Sequence, residues 1–301
     1  MGVLRSLAAF ILVAVVAVLI WHVGQPFFAA EWATMDEEPA TVITWSDIPA
    51  ATPAPGVTTR TIIHPGRDPV EITFDLSVVA VDPGHTTRPL LLAGTTGTLY
   101  ILEGSAMVRA NQTAVTLAPG DTLVIPPDTV RWITGTDGAL RYLSLREPAF
   151  DENRRVLREN ATNMTFTTPA PELIVVRAGS TPQKTVFDNL ALTPLITPET
   201  CAAGNVPVPI DFDLSLAEIP PGGGSTPHVL VDTIEIQSVI FGSARVCVDG
   251  LTRTVSAGET VIIGPGRVRE VRNEGDVPLV YVTVIQPHWT GQREILVPET
   301  F

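Results

Sequence analysis

Part of this chain is written twice, and that constrains its fold more than any other feature. ITFDLSVVAVDPG, from Ile72 to Gly84, returns as IDFDLSLAEIPPG, from Ile210 to Gly222. Phe74, Asp75, Leu76 and Ser77 thus match Phe212, Asp213, Leu214 and Ser215 at a constant offset of 138 positions. The register holds downstream: Gly104 falls on Gly242, Gly120 of APGDTLVIPP on Gly258 of SAGETVIIGP, and Arg131 on Arg269. A chance similarity would not keep register over such a span, so the chain carries a duplicated domain. Each copy consists of short apolar-alternating runs, among them FDLSVVAV, TLYILEG and TLVIPP, punctuated by Gly and Pro. Alternation at period two marks strands with one face inward. Strands this short and this regularly interrupted make an all-β antiparallel sandwich or jelly roll. The 27 prolines and 23 glycines, against 6% aromatic residues, suit that architecture better than a helical bundle.

Ahead of the copies, Ser6 to Val23 (SLAAFILVAVVAVLIWHV) is eighteen residues long and has no Asp, Glu, Lys or Arg. As a helix it would be about 27 Å long, close to the thickness of a hydrocarbon core. Arg5 precedes it, while Glu31, Asp36, Glu37 and Glu38 follow. The positive-inside tendency therefore predicts a cytoplasmic N-terminus and an exported remainder. A cleaved secretory signal is the competing reading, and it needs small residues one and three positions before the cut. Cutting after Ala30 or Ala33 puts Phe28 or Glu31 at the outer position. The expectation is a single-pass inner-membrane protein whose bulk is periplasmic: residues 1–5 cytoplasmic, 6–23 spanning and 24–56 an extended linker. The first barrel is expected at 57–148 and the second, with its tail, at 206–301. Between them, 149–205 is expected to hold a short helix around Phe150–Asn160 and a strand in ELIVVRAG. A net charge of −13 argues against nucleic acid, whose phosphates need a basic face. The expected partners are the lipid bilayer and other integral membrane subunits reached through the anchor.

The duplicated residues resemble the cupin superfamily, and the pair resembles a bicupin. That family carries two histidines and a glutamate in a first motif closed by glycine, and a third histidine in a second motif opened by glycine. In the second copy Gly242 closes the first motif, placing Glu235 at the glutamate position and His228 and Leu230 at the two histidines. Gly258 opens the second motif; Gly264 replaces its proline, Gly266 and Asn273 conform, and Arg269 replaces the third histidine. In the first copy Leu90, Leu92 and Gly97 stand at the ligand positions before Gly104. After Gly120 and Pro126, which conform, Asp128, Arg131 and Gly135 replace glycine, histidine and asparagine. The resemblance spans roughly residues 70–147 and 208–286.

The resemblance implies two jelly-roll barrels and a metal held by three imidazoles and one carboxylate. The substitutions leave one imidazole and one carboxylate in the second copy and neither in the first. An arginine in place of the third histidine repels a cation and cannot ligate it. No metal, cofactor or catalytic residue is therefore expected. His228, Glu235 and Arg269 read either as a structural Arg–Glu pair with His228 hydrogen-bonded nearby, or as a pocket for a small anionic or sugar-like ligand anchored by Arg269. Arg131 has no glutamate partner, is expected to point outward beside Trp132, and suggests no site.

Cys201 and Cys247 are candidates for a disulfide, which would close a loop of about 46 residues and contribute about 3–4 kcal/mol; two free thiols are the alternative. His64, His85 and His288 are scattered, and no GxSxG, Walker or HExxH pattern occurs. The leading expectation is a membrane-anchored, extracytoplasmic, non-catalytic bicupin acting as an accessory subunit of a larger membrane complex, with respiratory and photosynthetic complexes among the hosts considered. A periplasmic small-molecule binding or sensor module using the second barrel is one alternative, and a residual cupin enzyme is the other.

Overall fold

A computed structural model describes residues 39–68, 71–151, 155–157, 172–187, 189–203 and 208–298. The expected anchor at Ser6–Val23 lies outside the described residues; among those described, no helix is long and apolar enough to cross a membrane.

The sequence repeat is a repeat in space. In the first copy, Asp75–Val81, Leu90–Leu92, Thr96–Ala110, Thr113–Leu117, Thr122–Ile125 and Arg131–Glu147 form antiparallel strands. In the second, Asp213–Ile219, His228–Leu230, Ile234–Phe241, Ser243–Val248, Leu251–Ser256, Glu259–Ile263, Val268–Arg272 and Leu279–Gln286 take the equivalent places. Each copy is a jelly-roll barrel. The long strands Thr96–Ala110 and Arg131–Glu147 run through register shifts without breaking, whereas their counterparts are each divided in two. The first barrel therefore forms one ten-stranded sheet, and the second separates into sheets of seven and five strands. The bend falls on Gly104 in one copy and Gly242 in the other, with φ of 71° and 76°. A Cβ there would lie 2.6 Å from the Ala139 carbonyl oxygen or 2.5 Å from that of Pro278. Glycine alone meets both the dihedral and the close approach.

Strand alternation sorts the apolar residues into three cores. Leu76, Val78, Leu143 and Leu145 of the first copy meet Leu214, Ile236, Ile262 and Val284 of the second between the barrels, where the Phe74 and Phe212 rings are 5.4 Å apart. Neighbouring positions turn the other way. Val79, Val81, Leu99 and Ile101 fill the first barrel, and Val239, Val246, Val261 and Ile263 fill the second. Strands buried on both faces account for the nearly continuous apolar runs of the repeat. The aspartate that recurs in both copies also has a structural task. Asp75 accepts hydrogen bonds from the Phe150 N–H at 2.5 Å and from Arg146 at 2.6 Å, and Asp213 accepts one from the Trp289 N–H at 2.7 Å. Each aspartate pins the chain as it leaves the last strand of its barrel.

Residues 40–56, expected as part of a linker, are folded. Ala40–Thr44 pairs antiparallel with Glu259–Ile263 of the second barrel, and Ala51–Ala54 pairs with Val57–Ile63. Trp45 is buried and donates its indole N–H to the Thr260 hydroxyl at 2.8 Å. Proline-rich surroundings hid the short β-branched run Thr41–Thr44, a good strand former once an edge is offered. In turn Ile174–Val176, from between the copies, pairs with Thr122–Ile125 of the first barrel. Each barrel thus has the same strand edge covered by the segment preceding the other copy. The helix expected around Phe150–Asn160 is not what forms at its centre: Arg155–Leu157 is a strand paired with Leu90–Leu92. A bare strand edge outweighs a charge gradient that favours a helix only weakly. A one-turn helix forms instead at Pro198–Ala202, capped reciprocally by Thr197 and Thr200.

Candidate functional site

In the second barrel, His228 lies directly opposite Arg269 across the paired strands His228–Leu230 and Val268–Arg272. Arg269 is fully buried. It donates from Nη1 to Glu235 Oε2 at 3.3 Å, from Nη2 to the Gly264 carbonyl at 2.7 Å and from Nε to the Arg267 carbonyl at 3.4 Å. Glu235 Oε1 accepts from Gln237 Nε2 at 2.9 Å and from the Thr283 hydroxyl at 3.2 Å. Burial raises the free energy of the Glu235 charge, but Arg269 beside it, with His228 and the Gln237 hydrogen bond, more than offsets this and holds its pKa below the usual carboxylate value. Burial, aided by the Glu235 charge, drives the neighbouring Tyr281 hydroxyl upward.

His228 is 7% exposed, and Phe187 stacks on its ring at 4.9 Å between centroids. Its Nδ1 is 2.8 Å from the Thr226 carbonyl oxygen, which can only accept, so Nδ1 carries a proton and Nε2 is left outside that bond. The structure therefore brings His228, Glu235 and Arg269 into one buried cluster, with the imidazole tied to Thr226 and the carboxylate and guanidinium tied to each other.

Sequence reasoning missed the residues that support this cluster. Gln237 was legible, because it stands two positions from Glu235 on the same strand face. Thr283 sits opposite Gln237 on the adjoining strand, a register the linear sequence does not show. Phe187 comes from the inter-barrel segment, where no repeat guides the eye.

Arg131 corrects the expectation for the first barrel. It points inward and is 8% exposed, with Nη2 lying 3.1 Å from where a Cβ on Gly97 would be. Gly97 stands at the glutamate position, so the missing side chain makes room for the guanidinium.

A metal held as the cupin resemblance implies does not fit either barrel. In the second, the sole carboxylate is committed to an arginine that occupies the third histidine's position; in the first, an unpaired cation stands beside leucines and a glycine. Among the described residues no group of three or more His, Cys, Asp or Glu converges on one point.

The remaining candidates disperse. Cys201 packs into the inter-barrel core, where burial pushes its thiol up to about 11, while Cys247 is half-buried on Ser243–Val248. Both are free thiols, contrary to the disulfide considered. Cys247 lies on a strand of the five-stranded sheet, whereas Cys201 packs among residues between the barrels. His64 and His85 bond to nearby backbone carbonyls, and His288 lies 3.3 Å from Asp211. A surface cleft of about 360 Å³, lined by Trp45, Arg60 and Arg141, lies apart from the buried cluster.

Residues 215–285 match a family model described as a cupin domain. No curated protein sequence matches the chain. Among solved structures, a Lactobacillus farciminis oxalate decarboxylase in complex with formate superposes with a TM-score of 0.64 at 18% identity, covering 85% of this chain and 88% of that one. A Bacillus subtilis oxalate decarboxylase at pH 4.6 superposes with a TM-score of 0.62 at 17% identity, covering 85% and 78%. These proteins are enzymes. They stand against the expectation of a non-catalytic accessory subunit, which rested on the lost metal ligands; at 17–18% identity what they share with this chain is the fold.

Proposed function

We propose that this chain, a bicupin of the cupin superfamily, is an enzyme acting on a small organic anion in its second barrel. The observation that carries this reading is His228. It is a buried imidazole oriented by the Nδ1–H bond to Thr226, with Nε2 outside that bond, and it faces Arg269 across one strand pair. Such a group takes or returns a proton at a fixed place, and general acid–base catalysis of that kind is worth roughly 10²–10⁴ in rate. Phe187, stacked on the imidazole, restricts water above the ring. Small carboxylates are the substrate class, on the analogy of oxalate decarboxylases that share the fold.

The experiment is turnover of oxalate and a panel of two- to four-carbon carboxylates by the purified chain, followed by carbon-13 NMR. Loss of about 100-fold or more in His228→Ala is the expected outcome. No turnover across the panel, or full activity in the variant, would sink the reading.

In the same reading, the uncharged run Ser6–Val23 holds the barrels on the exported side of the inner membrane. Fractionation of expressing cells should leave the chain in the membrane after an alkaline wash. Release into the supernatant is the contrary result.

A further inference from the structure

Among the described residues, the first barrel contains a buried charge without a counterion. Arg131 is 8% exposed, its Nη1 is buried with no hydrogen-bond partner, and it ion-pairs with no carboxylate among the described residues. The other guanidinium in range, Arg146, is already neutralised by Asp75 at 2.6 Å. Burial, with repulsion from Arg146, pushes Arg131 down to about 10. A buried charge left uncompensated is costly, so such a group is found with a partner.

The second copy shows what the partner is. There the equivalent two positions hold Arg269 and the Glu235 carboxylate, 3.3 Å apart. Here the glutamate position is Gly97, and among the described residues no side chain supplies the anion. We propose that the first barrel binds a small carboxylate monoanion on Arg131, which supplies the charge that Glu235 supplies in the other copy. One uncompensated positive charge calls for one negative charge, and a planar guanidinium edge suits a planar carboxylate. The site lies in the other barrel from His228 and does not depend on the reaction proposed there.

The test uses the full chain carrying His228→Ala and sodium acetate as the probe, at constant ionic strength, read by titration calorimetry and carbon-13 line broadening. One saturable site is expected. It should weaken at least tenfold in Arg131→Leu and likewise in Gly97→Glu, which supplies an internal carboxylate; circular dichroism checks that each variant is folded. If Arg131→Leu fails to fold, Gly97→Glu alone decides. Acetate binding unchanged in a folded variant, or no binding in the parent, overturns the site. Chloride saturating it as well as acetate overturns the carboxylate assignment. Because the readout is binding in a background lacking His228, its failure is separable from failure of turnover in the second barrel.

Discussion

At the scale of single residues, the two arginines at equivalent positions are the most informative pair in the molecule. Arg269 is satisfied by Glu235 and two carbonyls, whereas Arg131 has lost its carboxylate to Gly97. Glu235→Gln would leave Arg269 buried with its charge unmatched, and removing one partner of such a pair costs about 3–5 kcal/mol. Urea unfolding at neutral pH should show that loss. The sign of the pH dependence follows from Glu235 having a lower pKa folded than unfolded. Its contribution is fully present above the unfolded carboxylate value and disappears as pH falls through the lower folded one. The parent should therefore lose stability on acidification more steeply than Glu235→Gln, and the two curves should converge at low pH. Equal slopes in a pH series of melting temperatures would contradict this.

At the scale of elements, the bend glycines and the exchanged strands decide the outcome. Gly242→Ala forces a side chain into a positive-φ position with its Cβ 2.5 Å from the Pro278 carbonyl oxygen. Strain of that kind costs about 1–3 kcal/mol, visible as a lowered thermal midpoint with the strand pairing kept. Trp45→Ala removes a buried ring and its hydrogen bond to Thr260. Truncating a buried tryptophan costs about 3–5 kcal/mol. The loss should appear as faster hydrogen exchange along Glu259–Ile263, the strand that Ala40–Thr44 covers.

At the scale of the whole molecule, the barrels share a core and exchange strands, so neither copy is self-contained. Glu147 on the last strand of the first barrel accepts from Gln286 on the last strand of the second at 3.0 Å, adding a polar tie beside the Phe74–Phe212 contact. Phe212→Ala should destabilise both barrels together by about 3–5 kcal/mol. Calorimetry should show one cooperative transition before and after the substitution. Two separated transitions in the parent would mean that the shared core does not couple the barrels.

The sequence by itself determined the duplication and the strand-rich class, because period-two alternation and turn glycines are local properties that survive in a linear text. It also brought His228, Glu235 and Arg269 to notice, because the motif resemblance marks those positions by their spacing from Gly242 and Gly258. Tertiary structure alone decided that residues 40–44 close the second barrel and that 155–157 form a strand. It likewise decided that Arg131 turns inward. In each case the deciding term is an edge or a space offered by residues distant in sequence: an unpaired strand for Thr41–Thr44, and the missing side chain of Gly97 for Arg131. Neither partner is visible until the chain has folded.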